Sequence, residues 1–287
     1  FRTRSFKEYG KLSHKNLDDL EGGKRSLLVS GQDQKEDPLD FVLWKPKKEG
    51  EPAWESPWCE GRPGWHIECS VMSKKYLGDE IDIHAGGEDL IFPHHENEIA
   101  QSEAANGKNF ARYWMHNAFL NIDNHKMSKS AGNFFTVRDI VAKYDPMVLR
   151  FFMLSAHYRS PLNFSAELME AAANGLDRIR TAVSTLAFKA QNAEAAELSD
   201  AEKELLEKAQ AYADKFDQAM DDDFNTADAL AAIFELVKFA NTLGEESHSK
   251  AFWNALGEEI KTLADICGLT VETKQELLAE DIEALIQ

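Results

Sequence analysis

The sequence predicts an α/β protein whose first part is built on a parallel sheet and whose last part is an α-helical bundle. Two observations lead to this prediction. Predicted strands and helices alternate in the first half of the 287 residues, which is the pattern of a parallel sheet covered by helices. From about residue 165 onward, glycine and proline nearly vanish, and alanine, leucine, glutamate and lysine dominate. The length accommodates two domains of ordinary size.

The elements of the α/β part follow from hydrophobic spacing and turn residues. Apolar positions between Trp65 and Leu77 recur at helical spacing, and Pro93 stands immediately before a second helical stretch. The pair Gly86-Gly87 ends a strand in which polar and apolar residues alternate. In chain order the predicted elements are a short buried strand at 40–45, a helix at 64–77, a strand at 82–87, a helix at 94–106 and a strand at 113–122.

The last part of the chain shows a helical repeat of apolar residues. Leu176, Ile179, Val183 and Leu186 follow one another at spacings of three or four, which places them on one face of a helix. A similar apolar face is found between residues 230 and 243. Several such helices bury their apolar faces against one another, so a bundle is expected from about residue 166 to residue 287.

Composition narrows the class of protein. Hydrophobic residues make up 43% and charged residues 29%, and no apolar run approaches the roughly 18–20 residues that a membrane span needs. Three cysteines are too few for a disulfide framework, which favours free thiols in a reducing cytoplasm. The net charge is −18, and its acidic surplus lies in residues 191–287. We interpret that surplus as a solvated helical surface, which leaves room for a local phosphate-binding surface earlier in the chain.

One group of residues has the composition of a zinc site. His94 and Glu98 are four residues apart on a predicted helix, so their side chains share a face, and Cys69 lies on the helix before it. A thiolate, an imidazole and a carboxylate form a plausible ligand set. The alternative is that the histidines at 94 and 95 cap the helix and that Cys69 is a buried apolar residue. The metalloprotease pattern H-E-x-x-H fails because Ile99 stands where the second histidine is needed.

Two further segments suit a nucleotide. Gly86 and Gly87, followed by Asp89, form a turn that a ligand could approach closely, although most such turns are only turns. The run Lys126-Met127-Ser128-Lys129-Ser130 places two ammonium groups and two hydroxyls in one short loop, a composition suited to a polyphosphate. His66, His84 and His116 are interpreted as structural or local polar contacts.

Three segments together resemble the cysteinyl-tRNA synthetases, a zinc-dependent family of class I aminoacyl-tRNA synthetases. They are Gly64-Trp65-His66-Ile67-Glu68-Cys69-Ser70, the run from His84 to Glu98, and the loop Lys126–Ser130, in this order and spacing. The resemblance extends over most of residues 1–240 and includes the run from Pro38 to Lys45 and the segment Met220–Thr226. Each motif alone is less specific than the combination.

The resemblance implies roles for the candidate residues. It assigns Cys69, His94 and Glu98 as three of the four ligands of one Zn²⁺ ion, and it places Trp65 in the cysteine pocket, where the alternative is core packing at a helix start. It assigns ATP or adenylate binding to Gly87, Glu88, Asp89 and Lys129. The catalytic residues would be Lys129 and, less directly, Lys126. The implied substrates and partners are L-cysteine, ATP with Mg²⁺, and tRNA(Cys), handled by a cytoplasmic monomer.

The resemblance also implies a domain division and missing parts. Residues 1–122 would be part of a Rossmann-like catalytic domain, residues 123–165 a signature-loop and stem-contact region, and residues 166–287 an α-helical bundle domain. The first residue is Phe1, and no H-I-G-H-type loop and no anticodon-reading basic domain are found. The fourth zinc ligand would lie in the amino-terminal half, so we expect the chain alone to be incomplete for catalysis.

Two other functions remain open from the sequence. The related ligase that joins cysteine to an amino-sugar inositol in mycothiol synthesis shares the zinc site, the adenylate contacts and the signature loop. A non-catalytic module that binds nucleic acid or a partner through the bundle is the second alternative. The intact Lys126–Ser130 loop and the zinc-type residues argue against such a module.

Overall fold

The structure is a computed structural model that describes residues 1–20, 35–122, 125–127, 135–244 and 247–272, apart from the side chains of residues 19, 20 and 126. The chain divides into two compact units, Phe1–Ala118 and Phe119–Gln287. Both strands and helices are present in the first unit, and helices dominate the second, which confirms the predicted fold class.

The first unit contains four strands and three helices among the residues described. They are α1 (Leu17–Leu20), β1 (Trp44–Pro46), β2 (Gly61–Pro63), α2 (Trp65–Leu77), β3 (Ile81–Gly87), α3 (Glu96–Asn106) and β4 (Ala111–Asn117). A 3-10 turn at Glu88–Leu90 and a π-helical turn at Ile91–His95 join β3 to α3.

Strands β3 and β4 are parallel and are connected through α3, so they form a β–α–β unit. The register pairs Ile81 with Ala111 and Gly87 with Asn117. Ile81, Ile99 and Phe110 form a small buried core against the helix. Parallel strands end at the same edge of a sheet, so the residues that follow Gly87 and Asn117 lie at the edge where ligands of such sheets bind.

The chain around β1 differs from the prediction of one buried strand at 40–45. The strand begins at Trp44 and pairs with β2 in an antiparallel hairpin, with Trp44 opposite Pro63. Of the predicted strand residues, Phe41 is buried, but Leu43 is 36% exposed. The apolar run therefore contains the buried position at residue 41 but does not mark the start of the ladder.

The amino-terminal segment packs against α3 through a buried carboxylate. Glu96 accepts hydrogen bonds from the backbone amides of Gly10 (2.8 Å) and Ser13 (2.9 Å), and its side chain is fully buried. Lys11 forms an ion pair with Glu103 on the same helix. These contacts hold the segment beside the first turn of α3.

The second unit begins with a three-stranded sheet in the order β6–β5–β7, formed by β5 (Leu120–Ile122), β6 (His125–Lys126) and β7 (Leu162–Phe164). The prediction of one strand over 113–122 is therefore wrong at its centre. The apolar run continues through residues 118 and 119, but β4 ends at Asn117 and β5 starts at Leu120, because the two segments pair with different strands.

Six helices of the second unit lie within the described residues. They are α4 (Val137–Val141), α5 (Pro146–Leu154), α6 (Ala166–Asn192), α7 (Asp200–Asp221), α8 (Thr226–Thr242) and α9 (Lys250–Ile266). Helix α6 packs on α9 and α7 packs on α8 around one large apolar core that includes Leu176, Ile179 and Ile260. The predicted bundle is confirmed. No helix in the described part of the chain is long and apolar enough to cross a membrane.

Candidate functional site

Helix α2, the π-helical turn and helix α3 bring the candidate metal ligands together in the first unit. Gly64 precedes α2 and has no room for a side chain, since a Cβ there would lie 2.4 Å from the Val42 carbonyl oxygen. Cys69 then falls on the second turn of α2. His94 ends up in the π-helical turn and Glu98 in the first turn of α3, one helical turn apart as their spacing predicts.

The ligand atoms of Cys69, His94 and Glu98 all lie within 4.8 Å of one another. Glu98 is completely buried, His94 is 5% exposed and Cys69 is half-buried. His94 Nε2 lies 3.7 Å from Glu98 Oε2. Tetrahedral zinc ligands are separated by roughly 3.3–3.8 Å, so adjustments of about 1 Å would close this set around an ion.

The residues present fit a zinc ion. The donors are a sulfur, a ring nitrogen and a carboxylate oxygen, which is a ligand set that Zn²⁺ accepts. Glu98 Oε1 is buried and has no hydrogen-bond partner among the described residues. A buried carboxylate oxygen without a donor is costly unless a cation or another group satisfies it.

Burial sets the protonation of the cluster. Burial, and next the Glu98 carboxylate, raise the pKa of the Cys69 thiol above its ordinary value. Burial lowers the pKa of His94, although Glu98 opposes this shift. The imidazole of His94 is therefore neutral at pH 7, which is the form that binds metal. A bound cation would reverse the shift of the thiol, because it favours the thiolate.

Four more histidines lie close to the candidate metal ligands: His66, His84, His95 and His116. From the sequence, His66, His84 and His116 were expected to be structural or to make local polar contacts. His66 Nδ1 lies 2.7 Å from His94 Nδ1, which leaves His94 Nε2 to face Glu98. His84 Nε2 lies 2.9 Å from Glu98 Oε2. Burial lowers the pKa of His66 to about 4 and that of His95 to about 3, so both rings are neutral at pH 7.

His84, His95 and Glu98 form a second group whose ligand atoms lie within 4.8 Å of one another. His95 Nδ1 is also 2.8 Å from His116 Nε2. The i, i+3 spacing of His95 and Glu98 was visible in the sequence, but His84 and His116 come from two neighbouring parallel strands. Only the β3–β4 register brings those rings to the helix, and this register was not predicted.

Trp65, the residue expected in the amino-acid pocket, lies against His94, one of the candidate metal ligands. Its ring stacks on the His94 ring with 4.1 Å between the centroids, and 54% of the residue is exposed. A tryptophan at a core position would be covered on both faces. Trp65 is therefore not a core residue, and its place in the amino-acid pocket stays a prediction.

Gly87, Glu88 and Asp89 lie at the carboxyl end of β3. A Cβ on Gly87 would approach Asp89 Oδ1 to 2.6 Å, so a side chain at this position would displace the exposed Asp89 carboxylate. Glu88 and Asp89 are exposed and begin the 3-10 turn. Their backbone amides and carboxylates lie at the edge of the parallel sheet where a nucleotide would bind.

The predicted phosphate loop is only partly described. Lys126 ends β6, where its backbone pairs with Asn121, and Met127 donates its amide to the Leu120 carbonyl oxygen at 3.4 Å. Lys129 lies outside the described residues, as does the side chain of Lys126. The catalytic roles of the two lysines stay predictions.

Comparisons with known proteins indicate the family of the chain. The family model described as "tRNA synthetases class I (C) catalytic domain" matches residues 1–174, and a model of the DALR domain matches residues 215–272. The chain is 67% identical to the cysteine–tRNA ligase of Lachnospira eligens and 62% identical to that of Lachnoclostridium phytofermentans. Each alignment covers 100% of this chain and 61% of the relative.

A solved structure shows the same fold at low identity. The ternary complex of Agrobacterium radiobacter K84 agnB2 LeuRS with tRNA and LeuAMS superposes on 75% of this chain and 34% of that chain, with a TM-score of 0.57 and 14% identity. The family model covers more than half of the chain and includes Trp65, Cys69, His94 and Glu98. The chain therefore belongs to the class I (C) family of tRNA synthetases.

Proposed function

We propose that the protein activates L-cysteine with ATP and transfers the cysteinyl group to tRNA(Cys). One observation carries this proposal, namely the convergence of Cys69, His94 and Glu98, whose buried Oε1 has no hydrogen-bond partner in the described part of the chain. The chain spans 61% of the length of the cysteine–tRNA ligases that it resembles, so activity is proposed for the complete gene product.

Selection of cysteine would depend on this cluster. Cys69, His94 and Glu98 would hold one Zn²⁺ ion, and Trp65 would form one wall of the pocket beside His94. Zinc held there supplies a soft Lewis acid that prefers the thiolate of cysteine to the hydroxyl of serine. This difference in bonding discriminates better than the size of a hydrophobic pocket, which separates substrates by about 1–3 kcal/mol per methylene.

The remaining candidate residues would handle the nucleotide. Gly87 would let the adenylate approach the backbone closely, and Glu88 and Asp89 would bind its polar groups. Lys129 would contact the ATP phosphates and stabilise the charge that develops as pyrophosphate leaves, and Lys126 would assist. Mg²⁺ would accompany ATP.

The reaction would proceed in two steps. A carboxylate oxygen of cysteine attacks the α-phosphorus of ATP, the bond to the bridging oxygen breaks, and pyrophosphate leaves with its electron pair. A hydroxyl of the terminal adenosine of tRNA then attacks the carbonyl carbon of the adenylate. An ester forms, and AMP and one proton are released.

We propose further that the enzyme works as a monomer in a reducing cytoplasm. The support for a reducing compartment is chemical: Cys59, Cys69 and Cys267 are all free, and a zinc-binding thiol needs to stay reduced. Gel filtration with light scattering would test the monomer, and a mass of two or more chains would contradict it.

Cysteine-dependent exchange between ATP and pyrophosphate by the complete gene product tests the proposed function. We expect exchange with cysteine but not serine, and cysteinyl transfer to tRNA rather than to an amino sugar of inositol. Cys69→Ser should lower the zinc content measured by mass spectrometry and the exchange rate by at least tenfold. The matched control Cys59→Ser should change neither. Transfer to the sugar amine alone would replace the proposed function with that of the mycothiol-type ligase.

A further inference from the structure

The turn between α7 and α8 holds two consecutive residues in the left-handed region. Asp223 has φ +57° and Phe224 has φ +56°, although neither is glycine. Such conformations persist only where the surrounding structure fixes them, and they concentrate at functional positions. The turn is fixed by backbone bonds from Phe224 to the Met220 carbonyl (3.1 Å) and from Asn225 to the Ala219 carbonyl (3.0 Å).

This conformation directs the Asp223 carboxylate to the loop that follows α5. Asp223 Oδ1 accepts a hydrogen bond from the Tyr158 hydroxyl at 2.7 Å, and Oδ2 accepts one from Arg159 Nε at 2.5 Å. The bonds from Arg159 and Tyr158 hold the pKa of the Asp223 carboxyl below its ordinary value. The Thr226 hydroxyl adds a bond to the Leu154 carbonyl oxygen at 2.8 Å. These bonds join the turn to the segment 154–159.

The segment 154–159 leads directly into the small sheet that carries the predicted phosphate loop. Leu162 begins β7 and pairs with Leu120 at the start of β5. On the other side of β5, Lys126 pairs with Asn121, and Met127 donates to the Leu120 carbonyl oxygen. The chain therefore enters β7 and leaves β6 at the same end of the sheet, with only β5 between the two strands.

A sheet of this size needs support from outside. Its strands contain two or three residues each, and ladders that short are not stable independently. Leu120, Leu162 and Phe164 pack on the core of the bundle from one face. The bonds of Asp223 hold Tyr158 and Arg159, which lie shortly before β7 enters the sheet at the end where Lys126 and Met127 leave it.

We propose that Asp223 is a positioning residue for the phosphate loop, acting through Tyr158 and Arg159. The role given to residues 126–130 rests on the proposed function. The α7–α8 turn of the bundle would then hold the described start of the loop, Lys126 and Met127, through strands β7 and β5.

Asp223→Asn tests this proposal in the complete gene product, with Asp222→Asn as the matched control. Both variants remove one charge from the same turn, and the Asp222 side chain has no hydrogen bond or ion pair with any residue in the described ranges. We expect Asp223→Asn to lower kcat/KM for ATP in pyrophosphate exchange at least fivefold, with KM for cysteine unchanged. Asp222→Asn should stay within twofold of wild type.

Tyr158→Phe provides a second variant that removes a single hydroxyl and keeps the fold. It should lower kcat/KM for ATP by twofold or more, again without a change in KM for cysteine. A purely structural role would lower the melting temperature and leave both kinetic constants of active enzyme unchanged. Equal ATP kinetics for Asp223→Asn, Tyr158→Phe and Asp222→Asn would overturn the proposal.

Hydrogen–deuterium exchange separates this proposal from the proposed function. Peptides covering residues 119–127 should exchange faster in Asp223→Asn than in Asp222→Asn, whether or not the protein activates cysteine. Unchanged exchange of these peptides would show that the carboxylate does not hold the sheet. If the wild type showed no cysteine-dependent exchange between ATP and pyrophosphate, the proposed function would be refuted. The protection of the sheet against deuterium exchange would remain an independent result.

Discussion

At the scale of single residues, Gly86 shows how closely the histidine cluster fits strand β3. A Cβ at this position would lie 2.8 Å from His95 Cε1 and 3.0 Å from Leu90 Cδ1. We expect Gly86→Ala to destabilise the protein by about 1–3 kcal/mol, because neither the buried ring nor the leucine can move away without repacking. Urea denaturation at pH 7 measures this change.

Gly257→Ala is the matched control for that substitution. Gly257 lies within α9, and a Cβ there would make an ordinary contact of 3.6 Å with Leu186 Cβ. Alanine in a helix interior is favoured over glycine by roughly 0.5–1 kcal/mol, so this variant should be more stable than wild type. A Gly86→Ala protein as stable as wild type would contradict the close packing at His95.

The candidate metal ligands could be selected from the sequence because two of them, His94 and Glu98, are four residues apart. This spacing places both side chains on one face of a helix. His94 and Glu98 stay one turn apart even though α3 begins at Glu96 and a π-helical turn contains Pro93, which was expected to precede the helix. The surrounding ring contacts of His84 and His116 depend on strand register. Hydrophobic alternation determines which face of a strand a residue takes, and a tight turn fixes register in a hairpin. Strands β3 and β4 are joined through α3, so no turn sequence indicates which of their residues are paired.

At the scale of elements, Glu202 links the starts of two helices of the bundle. Its carboxylate accepts bonds from the backbone amide of Ser199, the residue that caps α7, and from the amide of Ser249, which caps α9. Burial by itself raises the pKa of this carboxyl, but the amides of Ser249 and Ser199 and the serine hydroxyls outweigh it and hold the pKa at about 2.

Glu202→Gln should therefore destabilise the bundle by about 1.5–3 kcal/mol, because the amide replaces a charged acceptor of two backbone bonds. In the folded wild-type protein, the pKa of the Glu202 carboxyl lies below its ordinary value of 4.5. The contribution of Glu202 is present above pH 4.5 and is lost as the pH falls towards 2.

Thermal melts of Glu202→Gln between pH 7 and pH 3 measure that contribution. The control is Glu204→Gln, two residues along the same helix, where the side chain is exposed. The Glu204 variant should match the wild type at every pH. A Glu202 variant whose deficit stays constant from pH 7 to pH 3 would contradict the assignment of the low pKa.

Helix boundaries in the bundle were easier to predict than the strands before it. Helix α6 begins at Ala166, where the change in composition placed the start. Ser165 caps the helix by accepting a hydrogen bond from the Leu168 amide, and a serine at this position is a local sequence signal. The break between Asn117 and Leu120 has no such signal. Apolar residues continue across it, and only the change of partner strand ends β4.

At the scale of the whole molecule, the two units have separate apolar cores of very different size. The core of the second unit contains many fully buried side chains from α5 to α9 and from the segment after α9. The core of the first unit has Ile81, Ile99 and Phe110 at its centre. A small core gains proportionally more from a bound metal, because the free energy of metal binding adds to that of folding.

Removal of zinc should therefore destabilise the first unit and leave the second unchanged. At a zinc concentration 100 times the dissociation constant, binding contributes about 2.7 kcal/mol of stability. Calorimetry of the zinc-loaded protein, repeated after treatment with a chelator, should show a lower melting temperature for one transition only. Hydrogen exchange would assign that transition, since amides of α2 and α3 should lose protection while those of α6 and α9 keep theirs.

Cys69→Ala should abolish the effect of the chelator, and Cys59→Ala should retain it. If the chelator lowered the stability of the bundle equally, or if Cys69→Ala still responded to it, zinc would be bound elsewhere than at Cys69, His94 and Glu98.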